Sequence, residues 1–436
     1  MRRSGDLSYV QTETSGGTHR SPSFTVPTHD SPAWITPRAP GLRTLRIMRV
    51  AIVTESFEPT INGVSGSIRH VLAGLSALGH EALVVAPGRG SDESAGFPVV
   101  RMPAVPAPAV YRSFPIGLPF VRRIEGVLRD FRPDVVHLAS PALMGGAGAL
   151  AARRVEAACV AVFQTDLASF AQHYRLGWTG PAVWSWLRHL HDLADSTLVP
   201  STATYDALTR RGFARLAIWP RGVDLDQFSP DQRCRVLRGV LGSPAAVLVG
   251  YVGRVAVEKR VDLLPAVAGV PGARLVVIGT GPAHPWLRRH TPDAAHLGWR
   301  SGDALGRAVA SLDIMVNPGA DETFCQTVQE ALAAGVPVVA AAGGGPLDLV
   351  GDRVNGLLVR PGSALALARA VAALVRDRDL RSRLAGNARP SVAHRSWSAV
   401  TRSLVEHYDH VLGRASEQPV ALSAYGAGGA VRRMPG

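Results

Sequence analysis

From Met48 onward the chain alternates between short unbroken apolar runs and longer stretches whose apolar residues recur at helical spacing. RVAIVT (49–54), EALVVAP (81–87), DVVHLAS (134–140), ACVAVFQT (158–165) and STLVPS (196–201) read as strands buried on both faces. The segments near 65–78, 118–131, 143–157, 180–194 and 202–211 read as helices. Such βαβ repetition predicts a parallel sheet covered on both sides. WPRGVDLDQFSP (219–230) interrupts the pattern, and a second series follows with strands at 247–253, 274–279, 294–298, 314–318, 336–341 and 355–359. The expectation is two doubly wound, Rossmann-like α/β domains, 48–217 and 218–396, facing across a cleft. A last helix, 397–412, is expected to cross back to the first domain. In open α/β sheets, ligands sit beyond the carboxyl ends of the strands.

The two ends differ from the rest. Residues 1–47 are rich in Ser, Thr, Pro, Gly and Arg, show no hydrophobic period and read as a disordered extension; 413–436 read as a disordered tail. No run approaches the ~18–20 apolar residues of a membrane-spanning helix. The first 30 residues lack the apolar centre of a secretory signal. Three scattered cysteines, Cys159, Cys234 and Cys325, form neither a disulfide framework nor a CxxC zinc module. These features predict a cytoplasmic protein, with peripheral attachment to the inner face of the plasma membrane left open.

Charge adds one pointer. The net charge is +13, from 47 basic and 34 acidic residues. Of those 47 cations a single one is lysine, Lys259. The rest are arginines, a compositional habit against which the lone ammonium stands out. Lys259 and Arg254 flank a short loop in GYVGRVAVEKR, after the first strand of the second series; such a pair can clamp a phosphate.

The most informative stretch is NPGADETFCQTVQEALAAGVPVVA, where a strand ends at Pro318, a loop carries Glu322, and a helix starts near Phe324 and Cys325. Glu322 precedes that helix and Glu330 lies in its second turn. The N–H groups of Phe324, Cys325 and Gln326 would face the cleft and suit a phosphate or polyhydroxyl ligand. On pattern alone a capping box with a solvated glutamate fits the same residues. Gly63, in EPTINGVSGSIRHV, allows close approach of a ligand to the backbone before a helix, or marks an ordinary βα turn. Gln164 and Asp166, in FQTD, lie at a strand's carboxyl end, where they could contact sugar hydroxyls or simply cap the strand. VIGTGP carries Gly279 and Gly281 but not the third glycine of a dinucleotide fingerprint.

Together, the Gly63 loop, RGVD (221–224), GRVAVEK (253–259) and ETFCQTVQE (322–330) resemble the retaining glycosyltransferases of family 4, which have the GT-B fold. The resemblance covers about 48–412. Within that family the chain is most similar to actinobacterial GDP-mannose-dependent α-mannosyltransferases acting on lipid acceptors, through VAIVTESFEPTINGV, GHEALVVAPG, DVVHLASPALMG, AVFQTD and GGPLDLV. The resemblance implies GDP-mannose as donor, a glycolipid acceptor and no metal or other cofactor. It assigns Glu322 to the donor sugar's hydroxyls, helped by the N–H groups of Phe324 and Cys325. Glu330 is assigned to the ribose, Arg254 and Lys259 to the diphosphate, and Gly63 and Gly279 to the donor's surroundings. Gln164 and Asp166 fall on the acceptor side, and Asp166, Arg254, Lys259 and Glu322 form the catalytic set. Many family members carry His where this chain has Gln164, and Gly or Ser where it has Cys325.

LPFVRRIEGVLRDFR (118–132) places Phe120, Ile124, Val127, Leu128 and Phe131 on one helical face, flanked by arginines. That pattern fits a helix lying on an anionic membrane, and equally one packing on a sheet. A UDP- or ADP-glucose donor is the alternative within transferases. A basic nucleic-acid-binding protein is the alternative from another class. It predicts clustered cations interleaved with aromatics, whereas here arginine is dispersed and aromatics are only 6% of residues, so no nucleic-acid partner is expected.

Overall fold

The computed structural model describes residues 47–60, 62–105, 116–139, 141–164, 180–242 and 246–413. The first domain runs through β1 (Arg49–Val53), α1 (Gly63–Ala77), β2 (Glu81–Pro87), β3 (Glu93–Ser94), β4 (Phe97–Met102), β5 (Ala104–Val105) and β6 (Ile116–Gly117). It continues through α2 (Val121–Phe131), β7 (Val135–Leu138), α3 (Leu143–Arg154), β8 (Ala158–Val162), α4 (Gly180–Asp192), β9 (Ser196–Val199), α5 (Thr202–Thr209) and β10 (Leu216–Ile218). Its sheet has the order β10-β9-β8-β7-β1-β2-β4-β3, parallel except for β3 against β4. The apolar runs are strands because both faces are covered: Ile52, Val84 and Val160 pack on the α1 side, Val53, Val85 and Val136 on the α2–α3 side.

The second domain contains α6 (Arg235–Leu241), β11 (Val247–Val252), α7 (Leu264–Ala268), β12 (Ala273–Ile278), α8 (His284–His290), β13 (Ala295–Gly298) and α9 (Gly302–Ala310). There follow β14 (Ile314–Asn317), α10 (Gln326–Ala333), β15 (Val338–Ala341), β16 (Gly356–Val359), α11 (Ala364–Arg376) and α12 (Arg378–Val392). Its sheet, β13-β12-β11-β14-β15-β16, is parallel throughout. The order reverses at β11/β14, and the loops after those two strands carry Lys259 and Glu322. This is the switch-point position at which open α/β sheets bind ligands.

The last helix, α13 (Trp397–Val411), packs on α1 and supplies Val400, Leu404, Val405 and Tyr408 to the first domain's core. Thr401 lies so close to α1 that a Cβ on Gly74 would meet its Oγ1 at 2.5 Å. The Tyr408 hydroxyl and His137 Nδ1 of β7 are hydrogen-bonded at 2.7 Å, and Trp219 Nε1 donates to Val400 O at 3.0 Å.

Two readings change here. The apolar stripe of 118–132 is core: Ile124 and Leu128 are fully buried, and Val127 and Phe131 pack against the same cluster. The helix starts at Val121, leaving Phe120 outside it and 48% exposed. An amphipathic stripe is the same signal for a sheet-packed and a membrane-lying helix, and here the sheet takes it. Strands β3 to β6 and β10, of two to six residues, were not anticipated.

Candidate active site

The centre of the site is a single ion pair. Lys259, at the end of a 3₁₀ turn after β11, donates its ammonium to both carboxylate oxygens of Glu322, at 2.7 and 2.8 Å. The Lys259 side chain is 33% exposed and that of Glu322 14%. Burial pulls the ammonium's pKa down, but Glu322 more than offsets it, and the net shift is upward. Arg254 is turned instead to Glu258, at 3.2 Å, and remains half in solvent. The Tyr251 hydroxyl braces the loop from below by donating to Arg254 O at 2.7 Å. The loop is also tied to its neighbour: Gly279, with φ +138, leaves room for Gly253 O, which a Cβ would meet at 1.9 Å.

The loop carrying Glu322 is moulded by three consecutive glycines, Gly343 to Gly345, after β15. Gly345 N donates to Glu322 O at 2.7 Å. A Cβ on Gly344 would come within 2.3 Å of Glu322 O, and one on Gly345 within 2.2 Å of Phe324 O. The Phe324 ring is buried in the second domain's core, so only its backbone faces the loop. Cys325 precedes α10 with φ 70 and ψ 67 and makes no side-chain cap. A left-handed backbone at a non-glycine residue is uncommon and concentrates at functional sites. It leaves the amides of Gln326 and Thr327 without an intrahelical acceptor, as at any helix start. Burial pushes the Cys325 thiol's pKa up, which leaves it a neutral packing group.

Glu330 lies on α10, half-buried. Burial pushes its carboxyl up from 4.5 to about 8, against the opposite pull of Gln326 and Arg221. The folded protein therefore holds a proton there that the unfolded chain has lost above pH 4.5, so Glu330's contribution to stability falls as pH rises from about 4.5 to about 8. Glu330→Gln should remove that part of the slope. Its melting temperature relative to wild type should climb with pH across this window, as thermal unfolding at a series of pH values would show; a pH-independent difference would contradict the shift.

On the first-domain side, Asn62 caps α1 by accepting from Val64 N and Ser65 N. The helix start beside Gly63 is thus largely satisfied by its own cap and offers a ligand less than an open helix end. Gln164 donates Nε2 to Ala139 O at 2.8 Å and accepts at Oε1 from Arg221 Nη2 at 2.9 Å. Asp166 lies outside the described residues. Across the cleft, Ser201 Oγ and Thr204 Oγ1 donate to Thr323 O at 2.7 and 3.2 Å, and Thr202 N donates to Asp348 at 2.6 Å. The start of α5 therefore grips the Glu322 loop and the 3₁₀ turn that follows the glycines.

Three groups carry no assignment in the sequence reading. Glu55, after β1, accepts from Ala142 N and Gly145 N at 3.0 and 2.9 Å; burial raises its carboxyl to about 7 against those hydrogen bonds. The glycine triplet and Arg221 are the others. The RGVD motif was visible, but nothing along the chain showed where its guanidinium goes. Among the described residues no cluster of His, Cys, Asp and Glu could hold a metal ion.

Two family models match, Glycosyltransferase Family 4 over residues 61–227 and Glycosyl transferases group 1 over 241–390. The GDP-mannose-dependent alpha-mannosyltransferase of Mycobacterium tuberculosis is 47% identical over 378 residues, 85% of this chain and 99% of the relative. The chain belongs to glycosyltransferase family 4. The Corynebacterium glutamicum enzyme of the same description is 40% identical, over 90% of this chain and 96% of the relative. A GDP-mannose-dependent alpha-(1-6)-phosphatidylinositol dimannoside mannosyltransferase of M. tuberculosis is 29% identical, over 67% of this chain and 79% of the relative. Among solved structures, Anabaena HepE in complex with UDP superposes with a TM-score of 0.69 at 21% identity, covering 83% of this chain and 100% of that one. That likeness, together with the two parallel sheets, establishes the GT-B fold.

Proposed function

We propose that this family 4 glycosyltransferase moves mannose from GDP-mannose to a glycolipid acceptor of the phosphatidylinositol mannoside or glucuronosyl diacylglycerol type, with retention of anomeric configuration. The observation that carries the reading is the Lys259–Glu322 pair, a cation and a carboxylate held together at the strand-order switch point. The GDP-mannose dependence of the mycobacterial and corynebacterial relatives supports the donor, and the phosphatidylinositol dimannoside relative supports the acceptor class.

In this reading the bond from the anomeric carbon to the diphosphate breaks as the carbon gains oxocarbenium character. Lys259 and Arg254 receive the leaving charge, Arg254 by swinging from Glu258. A closed, water-poor cleft strengthens such fixed charges. Glu322, with the N–H groups of Phe324 and Cys325, holds the sugar hydroxyls. Glu330 takes the ribose, and the backbone at Gly63 and Gly279 faces the donor. The departing phosphate oxygen takes the acceptor's proton, with Gln164 and Asp166 orienting the acceptor. Calorimetry against GDP, UDP and ADP and their sugars tests the donor. Selective binding of GDP-mannose, followed by transfer to extracted lipids, is expected; preference for UDP- or ADP-glucose would move the chain to the alternative donor class.

A lipid acceptor requires work at a membrane. No helix among the described residues is long and apolar enough to cross one. The supporting surface is the outer face of α2 and α3. Arg122 and Arg123 are exposed, Arg129 and Arg154 share Glu125 at 2.6 and 3.0 Å, and Phe120 and Leu143 stand 48% and 44% exposed. Anionic lipids attract such clustered cations by about 1 kcal/mol each. Flotation with phosphatidylglycerol liposomes at low salt should recover wild type and lose Arg122→Glu/Arg123→Glu; equal recovery of both would remove the membrane face.

A further inference from the structure

Arg221 sits on the segment that joins the domains and reaches back into the first one. Its Nη2 donates to Gly63 O and to Gln164 Oε1. Its own carbonyl accepts from Gln329 Nε2, and that of Gly222 from Gln326 Nε2, both at 2.9 Å, so α10 fixes the backbone beneath it. The guanidinium packs on Gly63 so closely that a Cβ there would meet Nη1 at 3.2 Å. Among the described residues every hydrogen-bond acceptor Arg221 uses is a neutral oxygen, and no carboxylate lies within 4.0 Å. Asp313, by contrast, takes two arginines at once. Burial lowers the Arg221 pKa to about 10, with Glu330 opposing at longer range, so the group keeps its charge at neutral pH.

Even a half-buried charge such as Arg221 costs free energy without a counter-charge, and proteins normally pair it. Here both neutral partners engage one nitrogen, which leaves the rest of the donor fork for another acceptor. We propose that Arg221 is a substrate-contacting residue of the first-domain wall, whose counter-charge, absent among the described residues, is an anionic oxygen of bound substrate: the donor's diphosphate or an acidic group of the acceptor. The proposal rests on the transferase reading above. It adds a third cation to Arg254 and Lys259, on the opposite side of the cleft. It also gives Gln164 a second role, because its amide is oriented by Ala139 so that the carbonyl oxygen, not the NH₂, meets Arg221.

Arg221→Met and Arg221→Lys decide it, with thermal unfolding of each to confirm folding. GDP and guanosine are titrated calorimetrically, and KM is measured for acidic and neutral glycolipid acceptors. If the counter-charge is the diphosphate, Arg221→Met loses about tenfold or more in GDP affinity but not in guanosine affinity, and Arg221→Lys loses less. If it is the acceptor's, GDP binding stays unchanged and KM rises only for the acidic acceptor. Should Arg221→Met not fold, Arg221→Lys is read alone on the same ratios. Equal changes for charged and neutral ligands, or none, would overturn the proposal and leave Arg221 a brace for Gly63. Wild type that binds no nucleotide would instead overturn the transferase reading.

Discussion

Lys259→Ala and Glu322→Ala should each lower turnover by about 10²- to 10³-fold, the range for losing one preorganised electrostatic contact in an enclosed site. The pair is in place before any ligand arrives. Glu322 holds the ammonium with two short bonds, so the cation is already placed and part of its desolvation already compensated. Removing either partner leaves the other unsatisfied. Because Lys259 is a third exposed, water replaces part of the loss, and stability should fall by only about 1 kcal/mol. The double variant should be little worse than either single one, since the two act as a unit. Lys259→Arg should rescue poorly, because a planar fork cannot take the place of a compact ammonium between two carboxylate oxygens. Steady-state rates with matched unfolding curves check this; near-normal rates in both alanine variants would remove the pair from the machinery.

Gly345→Ala should be nearly as damaging without touching any charged group. The new Cβ would lie 2.2 Å from Phe324 O and 2.4 Å from Phe324 C, both backbone atoms that cannot rotate away. The loop must move, and with it Glu322, whose carbonyl is bound by Gly345 N. A displacement of about 1 Å in a positioning element costs up to 10²-fold in rate. Overpacking of this kind costs about 1–3 kcal/mol. Gly386→Ala is the control. It lies inside α12 with nothing within 4 Å of the new methyl and should stabilise by about 0.5–1 kcal/mol at unchanged rate. Similar kinetics for the two variants would mean that the triplet does not shape the Glu322 loop.

The parallel sheets were legible because their strands are buried on both faces and so written as unbroken apolar runs. The strands β3 to β6 and β10 were not, being too short or too exposed to leave a period. Lys259 was legible by rarity, one lysine among 47 cations. Arg221 was camouflaged by the same arithmetic: among so many arginines, only the fold shows which one sits half-buried beside neutral partners. The stripe on α2 carried a real signal with two physical causes, and only the packing of Ile124 and Leu128 chose between them. The left-handed backbone at Cys325 had no signature in its own residue, since glycine is what such a position ordinarily takes.

The return of α13 to the first domain has a consequence for the order of synthesis. Val400, Leu404 and Tyr408 close a core whose other walls, β1, β2, β7 and β8, are made some 240 residues or more earlier. During translation that first sheet must wait, with the face under α1 only partly covered, until the whole second domain and α13 have emerged. The second domain's own sheet needs no such late partner. The nascent chain therefore completes its halves in reverse order, and loss of α13 strikes the half made first.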